Sequence, residues 1–226
     1  MSLQSILSIA ETVSIQDHKF AGQMLSRNMR ISTSEILTVQ PFQFTIKPMN
    51  YLQYSTNRGV LSALRTADRI TEQYINFGTT GWLNYIKYQG DMSSVQANAT
   101  TIEVGTTGKN IILGTLPAIT STLYIVKTGD FIQIDRYAYI ATADVQRGGA
   151  STVTIPVHRT IMTTVSAQSP AVIGQYGTTT SLGGSTYTGV TFPVVLRDYP
   201  TYTLVPMTND SFIQWDGAFN AYEVVL

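Results

Sequence analysis

The 226-residue chain has no cysteine, only two histidines, and charged side chains at just 12%, about half the roughly 25% of an average globular protein. Without thiols there is no disulfide framework and no thiolate metal site, which suits assembly in a reducing cytoplasm. The opening, MSLQSILSIAETVSIQDHKF, has a short, broken apolar run and no basic flank, unlike a secretory leader. No apolar run approaches the roughly 20 residues a membrane-spanning helix needs, so no membrane insertion is expected. The formal net charge is zero, but residues 1–90 hold eight Lys/Arg against five Asp/Glu and residues 91–226 hold six against nine. Neither half is basic enough to grip nucleic acid.

Hydrophobic residues make up 43% of the chain, so it has the means to fold; a disordered chain shows the opposite bias. What it lacks is charge to cover a free surface. Two remedies stand open: burial of surface against other subunits, or solvation by Ser and Thr hydroxyls on a monomer. In RGVLSALRTADRITEQYINFG, Val60, Leu61, Leu64, Ala67, Ile70 and Tyr74 recur at helical spacing, which predicts a helix over 58–74 with Asn57 as N-cap. A weaker helical pattern runs from Leu3 to Val13. Elsewhere about a dozen short β-rich runs, among them GWLNYIKYQG, NIILG, DFIQI, YAYIATADV and PTYTLVPM, alternate with Gly, Asn, Asp or Pro. Such spacing predicts a mainly β sandwich or barrel with a flanking α-helix and long extended loops. It is expected to be a single domain over 1–226, with a strand-rich insertion about 100–160.

Thr160 to Leu196 contains no Asp, Glu, Lys or Arg across 37 residues. This stretch predicts an extended arm or hairpin with GTTTSLGGS at its tip, lying against neighbouring subunits where backbone pairing replaces charge. Val172, Ile173, Tyr176, Leu182, Tyr187 and Phe192 are its candidate interface residues.

Motifs for chemistry fail. GTTGKN at 105–110 has Glu103 where a phosphate loop needs Gly and Asn110 where it needs Ser or Thr, so it reads as a turn. Neither G-x-S-x-G nor H-E-x-x-H occurs. His18 and His158 belong to no recognisable triad, and Glu35, Asp130 and Asp135 stand beside strands without an evident partner. No catalytic residue, metal ligand or cofactor is assigned, and the chain is not read as an enzyme. Tyr74, Tyr85, Tyr88, Tyr137, Tyr139, Trp82 and Trp215 lack the interleaved basic residues of a single-strand binder, and tyrosine is common in strands and interfaces.

One segment is distinctive: KTGDFIQIDRYAYIATADVQRGGASTVTIPVHRTI, residues 127–161. It resembles a segment of bacteriophage tail and baseplate proteins in Gly129, Asp130, Phe131, Ile132, Gln133, Ile134, Tyr139, Asp144, Val145, Val153, Ile155 and Arg159. The opening FAGQMLSRNMRISTSEILTVQPFQFTIKP and the close FPVVLRDYPTYTLVP…FIQWDGAFNAYEVVL are similar to those of tail-tube-like proteins. The resemblance implies a tail-tube-like β fold and a virion structural protein assembled in the bacterial cytoplasm. It would form a homo-oligomeric ring, commonly a hexamer, at the distal tail or baseplate. Its partners would be itself and other tail proteins, with phage DNA passing transiently and non-specifically through the channel. A carbohydrate-binding β-sandwich at a tail tip, with Trp82, Trp215 and tyrosines as stacking platforms, and a cell-wall hydrolase are the alternatives.

Overall fold

The computed structural model describes residues 3–17, 21–25, 30–35, 41–66, 70–78, 83–166 and 168–225. The chain divides into two compact units, one formed by 1–75 and 193–226, the other by Asn76–Phe192. The sequence predicts one domain with an insertion about 100–160; the second unit takes in that whole segment and begins and ends beyond it.

The first unit opens with α1 (Gln4–Leu7), β1 (Ala10–Gln16), β2 (Ala21–Leu25), β3 (Ile31–Glu35), β4 (Gln43–Pro48), β5 (Leu52–Gln53), α2 (Tyr54–Thr66) and β6 (Gln73–Ile75). The second contains α3 (Ser94–Ala99), β7 (Thr101–Ile102), β8 (Asn110–Gly114), β9 (Tyr124–Val126), β10 (Phe131–Ile134), β11 (Tyr137–Ile140) and β12 (Val145–Gln146). It continues with β13 (Val153–Pro156), β14 (Ser169–Pro170), β15 (Val172–Ile173), β16 (Thr178–Leu182) and β17 (Ser185–Thr188). The chain then returns to the first unit with β18 (Phe192–Leu196), β19 (Tyr202–Met207), β20 (Asp210–Trp215) and β21 (Phe219–Glu223). The protein is mainly β with a flanking helix, as its strand-rich pattern predicts.

The largest sheet has the order β1-β4-β21-β18-β6. Its middle is built by alternation. Phe44 and Ile46 on β4 stand opposite Ala221 and Phe219 on β21, and all four are buried. Period two puts them on one face, and α1 lies against β4 and α2 with Leu3, Ile6 and Leu7 buried. Burying each such side chain fully contributes roughly 1.5–3 kcal/mol. A separate sheet, β19-β20-β5, carries a hairpin whose two-residue turn puts Asn209 at a φ of +68°.

The predicted helix forms earlier in the chain. α2 begins at Tyr54, so Asn57 is an interior residue whose side-chain amide donates to Gln53 O (2.9 Å) rather than capping. The start is held from a distance: Asp210 accepts from Ser55 N (3.2 Å) and Ser55 Oγ (2.7 Å). A carboxylate there suits the positive end of the helix dipole. The Ser55 hydroxyl, then the Ser211 N–H, hold the Asp210 carboxyl below the usual aspartate range. At the other end Tyr74 belongs to strand β6 and Ile70 is exposed, so neither joins the helical face; Ala67 lies outside the described residues. The helical pattern expected from Leu3 to Val13 ends as α1 at Leu7, and β1 takes over at Ala10, pairing Val13 with Ile46.

In the second unit, β11-β10-β15, β13-β8-β7-β14 and two ribbons, β12-β9 and β16-β17, share the work. GWLNYIKYQG is expected as a strand, but its described part, from Leu83 to Gly90, forms none. Its groups are used to tie the unit together instead: Ile86 and Tyr88 are buried, and Tyr88 N donates to Gln175 Oε1 (2.8 Å). The hairpin expected in the charge-free stretch is β16-β17, closed by Gly183 and Gly184 at φ of +57° and +75°. Two consecutive left-handed residues are what a tight hairpin turn requires. Helix α3 is not among the predicted elements. Its signal is the S-x-x-Q of Ser93 and Gln96, which form a reciprocal capping box.

Replacing Ser93 by Ala removes one half of that box and is expected to lower unfolding stability by about 1 kcal/mol. Exposed Val95→Ala is expected to change it by less than about 0.5 kcal/mol. Urea titration followed by circular dichroism checks both.

Candidate functional site

The motif-bearing segment 127–161 is the first place to look for chemistry, and every motif residue in it is committed to structure. Gly129, at a φ of +96°, turns the chain from β9 into β10, and Asp130 N donates to Lys127 O (3.0 Å) across the turn. The Asp130 carboxylate is buried. Its Oδ1 accepts from Gln89 N (2.7 Å) and its Oδ2 from Lys127 N (2.8 Å). Burial raises its pKa above the usual aspartate value, outweighing the N–H groups that favour the charged form. Phe131 packs edge-on against Tyr85 (4.9 Å) and Phe192 (5.9 Å).

Gln133 explains why a polar residue can occupy a fully buried strand. Its amide accepts from Thr191 N (2.8 Å) and donates to Thr191 O (2.9 Å), imitating a strand partner. Tyr139 is fully buried, and its hydroxyl accepts from Met162 N (2.9 Å). Arg159, also buried, donates to Ala138 O (2.7 Å) and lies 5.3 Å from the Tyr139 ring. Asp144 accepts from Thr128 N and Thr128 Oγ1, which hold its carboxyl below the usual range. His158 is likewise structural, its Nδ1 accepting from Ile140 N (2.9 Å). His18 lies outside the described residues.

Four of the six residues expected at a subunit interface are in the chain's own core. Val172, Ile173, Leu182 and Phe192 are buried within the second unit. Their side chains are already packed and are not available to a neighbour. Tyr176 and Tyr187 are half-buried, and Tyr176 sits edge-on to Tyr88 at 5.9 Å. The charge-free stretch is apolar here because it threads through a core. Of the two proposed tryptophan platforms, Trp215 is only 6% exposed, with its ring edge against Tyr202 (5.3 Å), and presents no face to a sugar. Trp82 lies outside the described residues.

Ile70, Val95, Tyr51 and Val104 are exposed at scattered positions, while a run of exposed apolar side chains lies on β19 in the first unit. Leu204, Val205 and Met207 are 43%, 39% and 37% exposed, and Tyr199 just before the strand is 38% exposed. Residues 199–208, YPTYTLVPMT, carry no charge. Among the described residues β19 is also an edge, its order being β19-β20-β5. The bond from Asp216 N to Thr201 O (3.0 Å) sets the ladder parity, so that residues 203, 205 and 207 point main-chain groups at β20. Tyr202, Leu204 and Pro206 therefore turn theirs outward, offering two N–H donors and three carbonyls. The sequence signal for this surface is YTLVPM itself, a strand with apolar residues on both faces.

A second feature is a cavity of about 400 Å³ in the second unit, with Ile102, Ile134 and Val172 among its apolar walls. Asp135, Thr163, Thr164 and Ser166, together with Gln133, Ser169 and Thr178, supply its polar lining. Among the described residues, no cluster of three or more His, Asp or Glu is placed to hold a metal ion. No protein-family model matches the chain, and no curated protein matches it.

Asp130→Asn replaces an acceptor with an N–H₂ group facing backbone donors and is expected to destabilise the protein by about 1–3 kcal/mol at neutral pH. The raised folded-state pKa means that Asp130 contributes most below the unfolded aspartate pKa and less as pH rises through the folded value. The stability gap between wild type and variant should therefore widen as pH falls from neutral toward about 4. Urea midpoints measured across that range check the sign.

Proposed function

We propose that this protein is a structural component of a bacteriophage tail, a ring-forming subunit of the distal tail or baseplate that continues the channel for DNA. The observation that carries the reading is the open β19 strand, apolar, uncharged and exposed on both faces. A free monomer keeping such an edge risks indiscriminate pairing. Pro206 supports controlled rather than open-ended use. It stands at an outward position and supplies no N–H, so the edge can pair over only a short run. Contacts of one edge with a different surface on the next copy are heterologous, and close into rings when the rotation allows.

The scarcity of charge and the zero net charge fit the same role. A channel wall rich in Lys or Arg would hold DNA phosphates through counterion release. Commitment of the motif residues to hydrogen bonds within the fold supports work by assembly rather than by turnover. The ring, its stoichiometry (a hexamer by resemblance) and its place in a virion belong to this proposal.

The purified full chain is expected to form rings by negative-stain imaging, with a lumen poor in Lys and Arg once the ring is resolved. Val205→Glu places a charge on the exposed strand and should shift the population toward monomer by at least tenfold in sedimentation velocity, with circular dichroism unchanged. Rings undisturbed by Val205→Glu would remove β19 from the contact, and a strictly monomeric wild type would remove the proposal.

A further inference from the structure

The cavity of the second unit has an unbalanced chemistry. It contains one carboxylate, Asp135, at the turn of the β10–β11 hairpin, where the backbone φ is +54°. Among the described residues, neither that carboxylate nor the hydroxyls of Thr163, Thr164 and Ser166 form a side-chain hydrogen bond or ion pair within the chain. The walls between them are apolar, with Ile134 and Val172 among the lining. Among the described residues no Lys or Arg lines the space, so an anion would meet the Asp135 carboxylate with no cation to offset it. Among the described residues no aromatic ring lines it either, so a sugar would lack the stacking face that such sites generally use. One carboxylate among hydroxyls falls short of the six to eight oxygens of a calcium site. What remains is a cation on an apolar stem, with the head on Asp135 and the hydroxyls and the methylenes on the walls, as lysine side chains lie on apolar surface.

We propose that this cavity receives a lysine side chain from a second copy of the chain. The inference rests on the ring-forming reading above, and it names a contact within that assembly. Charge complementarity supports a copy as the source. Lys87 and Lys109 are exposed on the same unit and have no ion-pair partner among the described residues. Lys109 stands on a tight turn closed by reciprocal Thr107–Asn110 backbone bonds (both 3.1 Å). Among the described residues, each subunit therefore carries an unmatched, exposed carboxylate on the cavity lining and unmatched ammonium groups on its surface. Because the net charge is zero, copies meet without long-range repulsion.

The test is zero-length carbodiimide cross-linking of the full chain, using an equal mixture of ¹⁴N- and ¹⁵N-labelled protein, followed by peptide mass spectrometry. The expected product is an amide between Asp135 and Lys87 or Lys109 with mixed isotopes, which marks it as intermolecular. In sedimentation velocity, Asp135→Asn should weaken self-association about fivefold, while Asp198→Asn leaves it unchanged. Asp135→Lys should weaken it further, and mixing that variant with Lys87→Asp/Lys109→Asp protein should restore it. If the chain assembles, yet Asp135 cross-links only within its own chain and Asp135→Asn assembles like wild type, the cavity contact is wrong and the ring reading stands. If the chain is monomeric at all concentrations, both fall.

Discussion

The Asp130 carboxylate is the constraint on which the second unit turns. It is almost wholly removed from water, yet it accepts main-chain donors from Gln89 and Lys127, which are far apart in sequence. A buried carboxylate without such partners would be costly. The loop that includes Leu83 to Gly90 and the turn that launches β10 are therefore held together. With β10 fixed, Phe131 meets Tyr85 and Phe192, and Gln133 reaches the Thr191 backbone. Tyr88 adds a second tie. Its hydroxyl donates to Ile125 O and accepts from Met92 N, and burial raises its pKa well above the ordinary tyrosine value. It thus stays a neutral hydroxyl at physiological pH.

A fold made of several small open sheets leaves many strands at edges. Most edges here are short or carry polar side chains. β1 exposes Glu11, Thr12, Ser14 and Gln16 on its rim, and Glu11 pairs with Lys47 at 2.8 Å. β19 is different: six residues long, uncharged and apolar on both faces. Its proline limits pairing at one end, so side-chain packing must provide most of any contact it makes. The contrast between β1 and β19 separates a guarded edge from an unguarded one.

Much of this was legible along the chain. Alternation in QFTIKP, the short apolar run of FIQI, the Gly183-Gly184 turn and the Thr-Gly-Asp turn before β10 each point to their element, because strand pattern and left-handed turn residues are local properties. The helix was legible in type but not in extent. Its start depends on Asp210, about 155 residues away, and its expected last turn goes to β6, which pairs in a sheet. The cavity joins hydroxyls from the loop around residue 164 to the hairpin turn at Asp135, two segments whose adjacency no spacing rule reports.

Composition and short-range periodicity alone account for the mainly β character, the lack of thiol chemistry and the scarcity of charge. Only the tertiary structure decided which apolar residues are spare. Val172, Ile173, Leu182 and Phe192 look like an uncharged contact surface when read along the chain, yet they are core. Leu204 and Val205 look like an ordinary strand, yet they are exposed. Hydrophobicity records that a side chain favours leaving water; whether its own chain or another covers it depends on what packs against it from distant sequence.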